Sequence, residues 1–131
     1  MLMNVAYESL AEAEFSFKRE VWSLVVRRSQ EAVELSIKGI LAFLGVDHPK
    51  DHDQAPMLFN ILNSQEISLK DIEDKVKLIS LDLSRKRGPA LQQEEGYDKE
   101  VAKNAIEDAN FVLESMKKIL NKVKNKYGRE I

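Results

Sequence analysis

Apolar residues recur along this chain at three- and four-residue steps, the spacing that lines one face of a helix. Residues 2–18 put Leu2, Ala6, Leu10, Ala13 and Phe17 on such a face. A longer segment, about 20–44, carries Trp22, Val25, Val33, Ile37, Ile40, Leu41 and Leu44, and Gly45 just beyond is a natural terminator. After the polar stretch Val46-Asp-His-Pro-Lys-Asp-His-Asp, Asp53 is the expected N-cap of a short helix over 54–63. Its Pro56 falls in the first turn, where a missing N–H does no harm. Ser68 with Asp71 reads as a capping box and Ile67 with Ile72 as a hydrophobic staple. The helix they open turns Ile72, Val76, Ile79 and Leu83 inward and is expected to stop before Gly88-Pro89. A glutamine- and acid-rich loop over about 88–97 leads to a last helix capped near Asp98. There Ala102, Ala105, Ala109, Val112, Met116, Ile119 and Val123 form a seam flanked by Ile106, Leu113 and Leu120. The pattern predicts one all-α domain over 1–131, an up-and-down antiparallel bundle of four main helices with a short extra one.

Composition agrees and narrows the chemistry. The 131 residues include no cysteine, two histidines, five glycines and three prolines. That excludes a disulfide scaffold, a thiolate metal site and a cysteine nucleophile. Twenty Lys+Arg against 22 Asp+Glu give net −2, so no global positive field marks the chain as a nucleic-acid binder. The near-neutral total hides an asymmetry. Segment 94–108 sets six acids against Lys99 and Lys103, while the stretch from Lys117 sets six cations against Glu130. Acid at the start of the last helix and base at its end suit the macrodipole. The basic end also adds salt-sensitive attraction to RNA, without an interleaved aromatic platform. Glu8, Glu12 and Glu14 interrupt the opening residues, so no secretory signal is expected, and no apolar run is long enough for a membrane span. A cytoplasmic soluble protein is the expectation.

Three groups of residues are candidates for chemistry. On the second helix Arg27, Gln30, Glu31, Glu34 and Lys38 fall within about 100° of one another. Arg27–Glu31 and Glu34–Lys38 are spaced as ion pairs, so this stripe is either a solvated face or the wall of a ligand cleft. Arg85-Lys86-Arg87 stands where a helix C-terminus is expected, which suits the dipole and equally suits a phosphate. His48 and His52 among Asp47, Asp51 and Asp53 lack the surroundings of a metal site, and His52 is expected to cap or pack at the short helix. No triad, P-loop, dinucleotide fingerprint or zinc-protease pattern is present.

Taken together, these segments resemble the HEPN domain family. Arg28-Ser-Gln30-Glu31-Ala32-Val33-Glu34-Leu-Ser-Ile-Lys38-Gly-Ile-Leu41 is similar to its second-helix signature, an apolar helix carrying Q-x-A-x-E-x-x-x-K. Pro49, His52 and Asp53, leading to Leu58, follow the family's loop habit. Arg87-Gly-Pro-Ala90-Leu, then Tyr97 ahead of the alanine-rich last helix, resembles its R-x-x-A segment and C-terminal helix. The likeness spans about 5–125. It implies a bundle that commonly dimerises and is associated with nucleotide or RNA transactions, often beside a minimal nucleotidyltransferase. From the residues themselves no cofactor and no metal are expected. RNase-active members carry an Arg followed four to six residues later by His. Beyond Arg85 and Arg87 this chain has Pro89, Ala90, Leu91, Gln92 and Glu94, with no histidine after His52. The obvious general acid/base is therefore missing. The implied role is non-catalytic: binding a nucleotide or RNA, or regulating a nucleotidyltransferase as a homodimer. Arg27, Gln30, Glu34, Lys38, Arg85 and Arg87 are the candidate ligand contacts. A divergent metal-independent RNase using Arg87, and an adaptor bundle with no small ligand, stand as alternatives.

Overall fold

Five helices carry the chain in the computed structural model, which describes residues 2–46, 51–67, 69–92 and 96–128. They are α1 (Leu2–Lys18), α2 (Trp22–Phe43), α3 (Ala55–Ser64), α4 (Lys70–Gln92) and α5 (Lys99–Tyr127). Among the described residues there is no strand. The all-α bundle of four long helices and one short one expected from periodicity is the observed fold.

Side-chain contacts fix how the helices run. Arg28 on α2 meets Glu12 on α1 at 3.0 Å, and Gly39 near the other end of α2 lies against Leu2 and Met3, so these helices are antiparallel. Tyr7 on α1 bonds Glu114 on α5, while Glu14, Phe17 and Lys18 share a groove with Lys103, Ile106 and Glu107, again antiparallel. Lys75 on α4 sits 4.1 Å from the Phe111 ring centre, and Asp82 and Lys86 share a cleft with Asn104 and Asp108, a third antiparallel pair. It follows that α1 and α4 run one way and α2 and α5 the other. Helices α1 and α4 flank the α2–α5 pair and do not touch each other among the described residues.

The core explains why α2 holds the middle. It packs on α1, α3, α4 and α5, and no residue from Trp22 to Leu41 is exposed. Ile37, Ile40 and Leu41 are fully buried. Each such side chain contributes about 1.5–3 kcal/mol, against a few tenths for an exposed i,i+4 ion pair. The apolar face therefore decides where α2 lies, and its polar stripe must adapt to that position. The α5 seam from Ala102 to Val123 is buried as the sequence predicts. A small second cluster of Ala13, Val25 and Ala102, covered by Phe17, Trp22 and Ile106, closes one end of the bundle.

Helix termini show which local rules prevail. Helix α2 ends in a Schellman motif, with Gly45 N–H donating to the Ala42 carbonyl, Val46 N–H to Leu41, and Gly45 at φ +77°. The same motif ends α1 and α3, with glutamates in the left-handed position: Glu20 at φ 60° and Glu66 at φ 62°. Asp98 caps α5 as expected, its carboxylate accepting from Val101 N–H at 2.9 Å. Three expectations need correction. Gln54, not Asp53, is the N-cap of α3, because the Asp53 carboxylate accepts a bond from Ser80 instead. Helix α4 does not stop before Gly88-Pro89 but runs through them to Gln92. Ala90, 4% exposed, belongs to the core, and burying it keeps the last turn helical despite the donor missing at Pro89. The expected loop over 88–97 shortens accordingly. Finally, Arg85-Lys86-Arg87 lies one turn inside α4, so it does not complement the dipole from a last turn. Ser68 of the expected capping box lies outside the described residues.

The two kinds of terminus should respond oppositely to substitution. Glu20→Gly removes the left-handed penalty of a residue with a Cβ and should raise stability by about 0.5–1 kcal/mol. Gly45→Ala should lower it by about 1 kcal/mol, because only the backbone angle opposes the added methyl; nothing lies within 4 Å of it. Urea denaturation of both variants beside the parent chain measures the two signs.

Candidate functional site

The face of α2 left between α1 and α4 carries the predicted stripe. Both expected ion pairs are present, Arg27 to Glu31 at 3.4 Å and Lys38 to Glu34 at 2.6 Å. Gln30 is not part of a solvated surface. It is 2% exposed, and its Nε2 donates to Glu34 Oε1 at 2.7 Å. A carboxylate oxygen only accepts, so this bond fixes the amide and leaves Oε1 as a buried acceptor, unpartnered among the described residues.

Glu34 is the hub. Its side chain is 12% exposed, and its two oxygens take Gln30, Lys38 and His52, the last at 2.9 Å from His52 Nδ1. Burial pushes the carboxyl pKa up, but hydrogen bonds from Lys38, Gln30 and His52, with the Lys38 charge, outweigh it and hold the pKa below the ordinary 4.5. His52 therefore neither caps nor packs at the short helix as expected. It reaches back 18 residues to α2. Beside it the Asp53 carboxylate takes Ser80 Oγ of α4 at 2.7 Å, so the segment before α3 straps α2 to α4.

Arg28 was absent from the expected site, yet it binds Glu31 through Nη1 at 3.0 Å and Glu12 through Nε at 3.0 Å. Its three-residue spacing from Glu31 was the available sequence signal. The His52 contact had none, since it depends on the course of a loop. Arg85 is exposed and Arg87 half-buried, and neither has an ion pair among the described residues. Between them Lys86 pairs with Asp82 at 2.7 Å, and its carbonyl accepts from the Tyr97 hydroxyl. Arg85 and Arg87 make no contact with the stripe among the described residues. They do lie level with its N-terminal part. The strap sets Glu34 beside Ser80, and seven residues toward the N-terminus of α2 or the C-terminus of α4 reach Arg27 and Arg87.

Among the described residues no group of three His, Cys, Asp or Glu could hold a metal ion. Asp47 and His48 lie outside those residues. A separate cleft between α4 and α5, of about 250 Å³, is lined by Asp82, Lys86, Asn104, Glu107 and Asp108. Burial, then the nearby Asp82 charge, raises the Asp108 pKa.

The hub makes a pH-dependent contribution to stability. A carboxylate whose folded pKa is depressed stabilises the fold above its unfolded pKa, and that contribution is lost as pH falls through the folded value. Glu34→Gln should cost about 1–3 kcal/mol at pH 7, since Lys38 loses its charged partner. The gap between parent and variant should hold down to the ordinary glutamate range near 4.5 and shrink below it. Denaturant titrations of both proteins from pH 7 to pH 3 measure this.

A family model described as the HEPN domain matches residues 1–120. No curated protein and no solved structure matches the chain. The matched span holds the whole stripe on α2, its strap to α4, the α4 arginines and most of α5. With all but the last eleven of its 131 residues inside that match, the chain belongs to the HEPN domain family.

Proposed function

We propose that this chain is a non-catalytic HEPN-domain protein that works as a homodimer and either binds a nucleotide or RNA or serves as the regulatory partner of a minimal nucleotidyltransferase. The observation that carries the reading is the distribution of unneutralised charge. Glu31 and Glu34 are already engaged by Arg27, Arg28 and Lys38, so the stripe is close to internally neutral. Arg85 and Arg87 are not engaged by any acid among the described residues, and antiparallel packing brings α4 past the Arg27 part of α2. Guanidinium groups without a carboxylate partner are suited to bidentate contact with phosphate. The buried Gln30 acceptor on α2 suits a donor group on a base or sugar.

A thermal-shift panel of nucleotides and short single-stranded RNAs tests this. A ligand at a hundred times its Kd should stabilise the parent by about 2.7 kcal/mol. The Arg85→Ala/Arg87→Ala double variant should lose that shift, and each lost phosphate contact should reduce the slope of log affinity against log salt by about 0.7–0.9. Lys38→Ala should weaken binding by loosening Glu34 and Gln30. No shift with any nucleotide or RNA overturns the ligand reading and leaves the adaptor bundle. RNA cleavage that disappears in Arg87→Ala overturns the non-catalytic reading.

A further inference from the structure

We infer that α1 and α5 together present a self-complementary face on which a second copy of this chain docks, with the two copies related by a two-fold axis crossing the groove between these helices. The inference rests on the homodimer of the proposed function and names its surface.

The groove has a volume of about 370 Å³ and an apolar floor of Phe17 and Ile106, walled by Glu14 and Lys18 on α1 and by Lys103, Glu107 and Asn110 on α5. The Tyr7–Glu114 contact sets the register of the two antiparallel helices. Seven residues on along α1, and seven back along α5, Glu14 comes level with Glu107. Four further in each direction, Lys18 comes level with Lys103. Like charges thus face each other across an apolar strip, two carboxylates at one level and two ammonium groups a turn away. Within one chain each glutamate stands four residues from a lysine on its own helix, so the face is neutral overall, and none of the four has an ion pair among the described residues.

A two-fold axis perpendicular to the helices and lying in the plane of contact sets each of these charges against an opposite one on the other copy. It lays α1 on the partner's α1 and α5 on the partner's α5, each reversed. Every Lys18 then meets a Glu14 and every Lys103 a Glu107, while the Phe17 and Ile106 floors close over each other. The other in-plane two-fold, along the groove, superposes lysine on lysine and is rejected by charge. An isologous interface must be self-complementary in this way, and four ion pairs ringing an apolar strip fix its register.

The test is charge exchange, read by sedimentation velocity on the full chain. The parent is expected to sediment as a dimer. Glu14→Lys/Glu107→Lys makes the face all basic and Lys18→Glu/Lys103→Glu makes it all acidic; each variant alone should be monomeric. An equimolar mixture should restore a dimer of one of each, which also shows that both variants are folded. A parent monomer at all concentrations overturns this face together with the homodimer reading. A parent dimer that persists in both variants, or two monomeric variants that do not associate on mixing, overturns this face alone.

Discussion

A helix packed on four neighbours leaves its charges only partly in water, and α2 is such a helix. Its apolar face draws it between α1, α4 and α5, yet the face left over carries five charged or amide side chains. The outcome is a chain of neutralisation in which no acidic group on α2 stands alone. Arg28 shares Glu31 with Arg27 and reaches Glu12 on α1, while Glu34 collects Lys38, Gln30 and His52. Partly buried carboxylates in low dielectric are stabilising only when so satisfied. Because the partners come from α1, α2 and the strap before α3, satisfying α2 also sets where those elements lie. The stripe is therefore structural first, whatever else it touches.

That dependence separates two kinds of cation on the protein. Those on α2 hold the fold and have little charge left over. On α4, Lys77 and Lys86 pair with Glu73 and Asp82, while Arg85 and Arg87 have no ion pair among the described residues.

How much of this was legible in the sequence varied with the range of the interaction. Gly45 and Asp98 acted as local signals, because a left-handed glycine and an aspartate cap need only their own turn. Periodicity gave the α5 seam and both α2 ion pairs, since helical spacing alone brings those side chains together. Glu20 and Glu66 gave no warning, as glutamate seldom takes a left-handed conformation and tertiary packing imposed it. Pro89 misled because the breaker rule is local while the burial of Ala90 is not. The hub at Glu34 was half visible. Gln30 and Lys38 follow from spacing, but the burial of Gln30 depends on flanking helices, and His52 arrives by a loop whose course no pattern encodes.

The left-handed glutamate between α1 and α2 also bears on the order of events in folding. An unfolded chain rarely visits that conformation at Glu20, so the turn cannot direct the hairpin and must be closed by it. Helices α1 and α2 share Ala6, Leu10, Val26, Val33 and Ile37 in the main core and Ala13 with Val25 in the second cluster, and the turn follows from that packing. Changes in that packing consequently act on the folding rate, whereas changes at Glu20 act mainly on how quickly the finished hairpin comes apart.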